Sequence, residues 1–322
     1  METRKVISFG SSSFIVSMPK SWVKENNLKK GDLITIDERD NELILTAGQA
    51  SQKTEPSKNS ISAAHKDLQM LKIEIVSSYL NNYDVIEIRD IGNHTLVPKI
   101  KNIIRELIGL EIIQQDREKI IAKDLLNIRE VSVETLIRRM DNIIRSMLTD
   151  SISCFENDCF EELYERDIEV NRLFYLSSRT IRAAMKSHPV AKELGISNVD
   201  LLFSWSIVTR LEKIADLTKR IARELRTVHL SSAQKTLVKE IYGELKEEYN
   251  AVMKSYYKHD IEIAFKIEMS SRDLMARCNA ALKEDTSVEM RSVIEFMKRM
   301  MSSIREVTRG VIGMESKEAA MM

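Results

Sequence analysis

The feature that most constrains the fold of this chain is a helical pattern that extends from residue 132 to residue 313 of its 322 residues. A single proline, Pro189, interrupts that stretch. Apolar residues recur in it at intervals of three and four, which places them along one face of an α-helix. The two halves have a similar spacing, so we predict a mainly α chain in which a three-helix unit occurs twice. The six expected helices cover roughly residues 132–156, 158–187, 198–228, 232–257, 260–284 and 287–313.

The first 47 residues, here called the N-terminal module, carry a different pattern of short strands and turns. Alternating apolar residues on each side of Gly10 suit half-buried strands. Pro19 can open a helical turn but cannot extend a central strand ladder, so a short helix is expected over residues 20–26. The Lys-Gly-Asp sequence at residues 30–32 predicts a turn into a second pair of strands. So small a β structure buries too little apolar surface to be stable alone, which predicts that two copies pair.

Charge is unevenly distributed in this region. Residues 1–30 hold six basic and two acidic residues, a net charge of +4, whereas residues 31–50 hold one basic and five acidic residues, a net charge of −4. The whole chain has 49 basic and 49 acidic residues, so any contact with DNA must be local. Arg4 is the best candidate for reading a base edge, because a guanidinium can make paired hydrogen bonds to guanine.

The motifs of the N-terminal module resemble those of the AbrB/SpoVT/MazE family of swapped-hairpin domains. The shared pattern is R-K-V, G-x-S-S, V-S-x-P-K-x-W and L-K-x-G-D, and it covers about residues 3 to 47. The resemblance implies an intertwined dimer that lays basic strands and loops on DNA. The alternative is a module that only dimerises, with its lysines as a solvated rim. The residues that the resemblance implies for DNA contact are Arg4, Lys5, Ser12, Lys20 and Lys24.

A second small unit is expected between the N-terminal module and the helical body. The segment that precedes it is polar, contains Pro56 and lacks periodicity, which predicts a flexible linker. The order helix, strand, helix, strand, strand follows and predicts a small α+β layer against the helices. The predicted boundaries are 1–47 for the N-terminal module, 48–61 for the linker, 62–130 for the α+β unit, and 131–228 and 229–314 for the first and second three-helix repeats.

Polar residues at four-residue spacing occur on two helices of the first repeat. Asp167 and Asn171 lie on its second helix, and Glu212 and Asp216 lie on its third, so each pair shares one helix face. A metal cluster needs several converging oxygen ligands, which the first repeat can supply and the second cannot match. The alternative is a solvated face with Arg and Lys partners, each pair contributing a few tenths of a kcal/mol.

The helical body resembles the PhoU family of phosphate-uptake regulators over about residues 62 to 313. Besides the two polar pairs, the resemblance rests on Glu-Arg-Asp at residues 165–167, Val-Asn-Arg-Leu at residues 170–173, and Arg210. Bundles of that family carry E/D-x-x-x-D pairs that can hold metal clusters. The resemblance therefore implies a divalent or iron-type metal at Asp167, Asn171, Glu212 and Asp216. The chain as a whole resembles archaeal regulators that join such a body to a swapped-hairpin module.

Two departures from the PhoU pattern bear on that metal. Asn171 stands where the family often has Asp, and Arg220 stands four residues after Asp216, where the family often has Asn. The amide oxygen of Asn171 carries no charge, and the guanidinium of Arg220 adds a cation. Both changes favour the ion-paired alternative.

Several function classes have little support in the sequence. There is no glycine loop that could cradle phosphate and no nucleophile in register with a base, so we predict that the chain is not an enzyme. No run of 18 apolar residues and no signal-peptide core occur, which predicts a cytoplasmic protein without membrane insertion. The odd number of cysteines within helical patterns predicts reduced core thiols at Cys154, Cys159 and Cys278.

The favoured hypothesis is a transcriptional regulator of phosphate uptake. In it, a dimeric N-terminal module holds an operator in DNA while the helical body senses phosphate status. The rival hypothesis is an adaptor that binds components of a phosphate transporter or a signalling partner and uses the N-terminal module only to dimerise. A third alternative is a metal-storing or metal-sensing bundle.

Overall fold

The computed structural model describes residues 2–39, 41–47, 56–92, 95–285 and 287–314. The chain divides into two compact units, Met1–Pro56 and Ser57–Met322. The first unit contains the N-terminal module, and the second contains the α+β layer together with all the long helices.

The N-terminal module consists of two antiparallel hairpins separated by a short helix. Gly10 adopts a φ of +70° in the first hairpin turn, a backbone conformation that favours glycine. Pro19 stands directly before the helix. The predicted order of strands, turns and helix is therefore confirmed. Its elements are β1 (Ile7–Phe9), β2 (Ser13–Ile15), α1 (Lys20–Glu25), β3 (Ile34–Arg39) and β4 (Glu42–Ala47).

The module has no interior of its own. None of its described residues is buried, and the large apolar side chains of the strands are exposed, with Phe14 at 74% and Leu43 at 66%. A two-stranded hairpin is at best marginally stable in water without a face to pack on. The apolar faces of β1 to β4 therefore need a partner that this single chain does not supply within the unit.

The α+β layer is a four-stranded sheet with two helices. The strand order is β5-β6-β8-β7, with β5 parallel to β6 and the remaining pairs antiparallel. The core between sheet and helices contains Ile75, Ile86, Ile88 and Ile100, all fully buried. The elements are β5 (Lys58–Ser62), α2 (Leu68–Leu80), β6 (Val85–Arg89), α3 (Leu96–Arg105), β7 (Leu110–Gln115) and β8 (Ile120–Asp124).

The predicted linker, residues 48–61, is wrong at its C-terminal end. Residues 48–55 lie outside the described residues, but β5 occupies Lys58–Ser62, within the range that the sequence predicts as linker. Ile61 is the one large apolar residue of this strand, so β5 has no periodicity to detect. It is an edge strand, held by its parallel pairing with β6 and by packing of Ile61 into the core.

The helical body contains the six long helices predicted from the apolar spacing. The short helix α6 is not among the predicted helices. Pro189 lies in its first turn, where a backbone N–H would have no partner within the helix, so proline is tolerated there. The helices are α4 (Val133–Asp150), α5 (Phe160–Lys186), α6 (His188–Glu193), α7 (Asn198–Leu225), α8 (Ser232–Lys258), α9 (Ile261–Glu284) and α10 (Val288–Ile312).

Two three-helix bundles share one core. Helices α4, α5 and α7 pack together, as do α8, α9 and α10, and α7 packs along α10 to join them. Leu211 and Ile214 of α7 are fully buried, as are Met300 and Ile304 of α10. This arrangement confirms the predicted fold class of a mainly α chain with a repeated three-helix bundle.

Hydrogen-bonded caps fix several helix starts. Ser231 and Gln234 form a capping box at the start of α8. At the start of α10, the side chain of Ser287 accepts the capping hydrogen bond from the backbone of Met290.

The cysteines differ from the prediction of three reduced thiols. Cys154 and Cys159 form a disulfide across the connection between α4 and α5, where their Cα atoms are 5.3 Å apart. Cys278 is a free, buried thiol, as predicted. The connection folds back on itself, which brings the pair together at a distance that cysteine pairs can bridge.

Arg179 of α5 connects the helical body to the α+β layer through contacts with three residues of the layer. Its guanidinium is buried, forms an ion pair with Asp124 at the end of β8, and donates from Nε to Oδ1 of Asn82 at 2.9 Å. It also stacks 4.6 Å above the ring of Tyr79 in α2. A buried charge needs such partners because its desolvation is costly. The layer and the helices therefore meet at a polar, specific contact.

Within the described residues, no helix has the length and apolar character needed to cross a membrane.

Candidate functional site

The five residues proposed for DNA contact are all exposed. Arg4 and Lys5 precede β1, Ser12 lies in the turn between β1 and β2, and Lys20 and Lys24 lie on α1. The two α1 lysines are one helical turn apart and therefore share a face.

Most of these cations are available to a ligand. Arg4 pairs with nearby Glu2. Lys5, Lys20 and Lys24 form no ion pair with any residue that the structure describes. Unpaired, exposed cations are suited to phosphate groups, since binding releases the counterions of the nucleic acid.

Three of the four proposed metal ligands converge in the first repeat, but they do so around a lysine. The ammonium Nζ of Lys219 in α7 lies 2.6 Å from Oδ2 of Asp167 in α5 and 3.3 Å from Oδ1 of Asp216. Nδ2 of Asn171 donates to Oδ2 of Asp167 at 3.2 Å. We call Asp167, Asn171, Glu212, Asp216 and Lys219 the carboxylate cluster.

Two further cations engage Asp216. Nε of Arg220 lies 2.8 Å and Nζ of Lys213 lies 3.2 Å from its Oδ2. Burial raises the pKa of the Asp216 carboxyl, but the hydrogen bond from Arg220 and the charge of Lys219 outweigh it, so this pKa lies below its ordinary value. Asp216 is therefore an ionised, fully paired carboxylate.

The carboxylates of Asp167 and Glu212 are less fully balanced by cations than that of Asp216. Burial raises the pKa of Asp167, against the opposing hydrogen bond from Lys219. The pKa of Glu212 is raised by burial and by repulsion from Asp216. Glu212 receives no hydrogen bond from any described residue, and its nearest balancing charges are Lys213 and Lys219.

The donor set in this conformation does not fit a metal ion. Three cationic side chains occupy the space around Asp216, and the ammonium of Lys219 lies between the two aspartates, where a metal would have to be. Among the described residues, no group of three or more His, Cys, Asp or Glu side chains could hold a metal. A divalent or iron-type metal at the four predicted ligands stays a prediction, and it requires that Lys219 moves away.

The second repeat contains a similar ion pair. Glu268 of α9 accepts from Nη2 of Arg305 at 2.5 Å and from Nη2 of Arg309 at 3.2 Å, both on α10. In each repeat, therefore, an acidic residue of the middle helix pairs with a cation of the third helix.

Sequence reasoning missed Lys219 and Arg305. A signal was available for Lys219, because a lysine three residues after Asp216 shares its helix face. No comparable signal linked Lys219 to Asp167, since that pair depends on how α5 and α7 pack.

Comparison with known families assigns two segments of the chain. Residues 137–225 match the PhoU domain model, and residues 7–53 match the model described as antidote-toxin recognition MazE, bacterial antitoxin. The chain therefore has one segment similar to a MazE-type module and one segment similar to a PhoU domain. The PhoU domain includes all of α5 and α7 and thus the whole carboxylate cluster. No curated protein and no solved structure matches the chain.

These two matches give a coarse identity. A PhoU-like regulator carrying an N-terminal domain of DNA-binding type accounts for both segments. Both families are non-enzymatic. Neither matched segment includes α8 to α10.

Proposed function

We propose that this protein is a DNA-binding transcriptional regulator of phosphate uptake. Two MazE-type modules form a dimer on the operator, and the PhoU domain with its second repeat responds to phosphate status. The proposal is supported by the joining of the two domain types on one chain.

The observation that carries the proposal is the unburied apolar surface of the N-terminal module. Phe14 and Leu43 are largely exposed, and every other described residue of the module is at least partly so. Pairing with a second copy buries such faces symmetrically, since the same patch on each chain serves both sides of a two-fold interface. The stability of the module is then inseparable from dimerisation.

Dimerisation also concentrates positive charge. Each chain contributes a net +4 over residues 1–30, with Lys5, Lys20 and Lys24 unpaired among the described residues. Two copies double that local charge, although the net charge of each whole chain is zero. Local charge of this kind favours DNA over non-specific coating of nucleic acid.

An electrophoretic shift assay on promoter fragments of phosphate-transport genes tests the proposal. We expect a shift with full-length protein that weakens as salt rises, and weaker binding for Arg4→Ala and Lys5→Ala. Lys99→Gln removes an exposed cation of α3 that forms no ion pair with a described residue, and it serves as the matched control. The proposal is wrong if binding is absent, or if the Arg4 and Lys5 variants bind as well as the parent.

The second candidate is an adaptor that binds components of a phosphate transporter or a signalling protein. The PhoU match favours it, because that domain forms a larger share of the chain than the MazE-type module. Charge reversal at Lys20 and Lys24 separates the two functions. If the protein is a DNA-binding regulator, the charge-reversed variant no longer regulates phosphate uptake. If it is an adaptor whose module only dimerises, the variant regulates like the parent.

A further inference from the structure

A cleft of about 670 Å³ lies at the seam between the α+β layer and the PhoU domain. Helix α3 and the start of β7 form one side, and α5 contributes Arg172 from the other. Ile104, Leu107 and Leu110 are buried behind the lining, so the surface that faces the cleft is mostly polar. We call this site the seam cleft.

Three cations line the seam cleft without acidic partners. Lys101 and Arg105 come from α3 and Arg172 from α5, and none forms an ion pair with any described residue. Among the described residues of the lining, the one acidic side chain is Glu111, which is exposed. The cleft therefore carries an unbalanced positive charge in a chain that is neutral as a whole.

Neighbouring cations along the same seam are matched. Arg179 lies two helical turns after Arg172 on the same face of α5 and pairs with Asp124. Lys72 of α2 pairs with Glu106 at 3.0 Å. The Arg179 pair crosses the seam, whereas Lys72 and Glu106 both belong to the α+β layer. The cations of the cleft differ, because none of them forms an ion pair with a described residue and all three face Glu111, the single acid among the described lining residues.

The walls of the cleft are fixed in place. The hydroxyl of Tyr79 donates to the carbonyl oxygen of Ile108 at 2.8 Å, which holds the turn between α3 and β7. Gly109 in that turn has a φ of +86°, and a Cβ there would lie 2.6 Å from Cβ of Leu126. The close approach needs glycine. A site with rigid walls binds ligand without the cost of ordering a loop.

We propose that the seam cleft binds a small anion that carries phosphoryl groups. Planar guanidinium groups make paired hydrogen bonds to phosphoryl oxygens, and the ammonium of Lys101 adds a third charge. The volume falls in the range of small-molecule sites, and the mostly polar, cationic lining suits phosphoryl oxygens. A lone inorganic phosphate fills only part of the same space.

The ligand would contact α3 and α5 at once. Its binding would therefore hold the α+β layer against the PhoU domain and stabilise the folded unit by linkage. The inference is independent of DNA binding, since every residue it uses lies in the unit Ser57–Met322.

Isothermal titration of the full-length protein tests this site. The probes are ATP, pyrophosphate and inorganic phosphate, each at about physiological salt and without divalent cations. We expect saturable binding at one site per chain. Losing a hydrogen bond to a charged group weakens binding about tenfold or more, so Arg105→Gln and Arg172→Gln are each expected to show that loss. A preference for ATP identifies a nucleotide as the source, and equal binding of phosphate identifies the free anion.

Lys99→Gln is the matched control, because Lys99 is exposed on the same helix but does not line the cleft. It is expected to bind the probes like the parent. Arg105 and Arg172 are exposed, so their variants should melt at the temperature of the parent without ligand. The proposal is overturned if none of the three probes binds at millimolar concentration, or if Lys99→Gln weakens binding as much as Arg172→Gln does.

Discussion

The ammonium of Lys219 lies 2.6 Å from the carboxylate of Asp167, across the contact between α7 and α5. Both side chains are well shielded, at 19% and 4% exposure. Removing one member of such a pair leaves the other as an uncompensated charge in a poorly solvated place. The two helices of the PhoU domain are therefore joined by a polar contact that constrains their relative position.

Lys219→Met is expected to destabilise the protein by roughly 2–3 kcal/mol, because Asp167 then loses its main counter-charge. Urea denaturation at neutral pH measures the change. Lys213→Met is the control: Lys213 also contacts Asp216, but its side chain is 43% exposed, so a loss below about 1 kcal/mol is expected. Equal effects of the two substitutions would contradict a structural role for the Lys219 contact.

Metal binding at the carboxylate cluster is expected to compete with Lys219. Lys219→Ala should therefore bind Mn²⁺ or Fe²⁺ more tightly than the parent, because it frees Asp167 and part of Asp216. Elemental analysis after dialysis against each metal gives the bound amount. Asp167→Ala and Glu212→Ala are expected to carry less metal. A parent protein that retains a full equivalent of metal would show that the lysine is readily displaced.

Glu248 of α8 gives the protein a specific pH dependence. Its buried carboxylate accepts hydrogen bonds from the hydroxyls of Ser270 and Ser271, at 2.8 Å each, and burial raises its pKa above the usual value. A carboxyl with a raised pKa binds its proton more tightly when folded. Stability should therefore fall as pH rises from the ordinary pKa of glutamate through the raised one.

Glu248→Gln is expected to remove this dependence and to be more stable than the parent at neutral pH, since the amide carries no charge. The difference between the two should shrink on acidification. Thermal melting of both proteins between pH 4 and pH 8 measures this difference in stability. Carboxyl groups with raised pKa values titrate in about that range. Glu247→Gln, at the adjacent exposed position, controls for net charge. A constant difference across that range would refute the assignment.

The buried Arg179 contact predicts how the α+β layer is held. Arg179→Ala is expected to cost roughly 3–5 kcal/mol, because Asp124 is left buried without its partner. Limited proteolysis should then cut between the layer and the helices sooner than in the parent. Arg182→Ala, three residues later on α5, removes a contact with the ring of Trp205 and should cost about 1 kcal/mol or less. Cleavage of both variants at the parent's rate would contradict the role of Arg179.

The sequence predicts those parts of the fold that follow from local patterns. The long helices, the strands of the N-terminal module and the start of α8 at Ser231 were all readable from apolar spacing and capping residues. Strand β5 was not, because its position depends on pairing with β6 and its single large apolar residue gives no alternation.

The candidate sites show the same division. The sequence indicated Asp167 and Asp216 as neighbours on adjacent helices, and the structure brings them together. It did not indicate that Lys219 would lie between them, since that depends on the rotation of α5 against α7. The seam cleft was also beyond sequence reasoning, because Arg172 and Arg105 are far apart along the chain and meet only through packing of the layer on the helices.

Two N-terminal modules are expected to join through their exposed apolar faces and to hold DNA together. Sedimentation velocity of the full-length protein with a labelled promoter fragment tests this pairing. We expect two chains per bound duplex, and we expect Phe14→Asp, at the most exposed apolar side chain of the strands, to yield monomers that no longer bind. A monomeric parent in dilute buffer, or DNA binding that survives in monomeric Phe14→Asp, would contradict the claim.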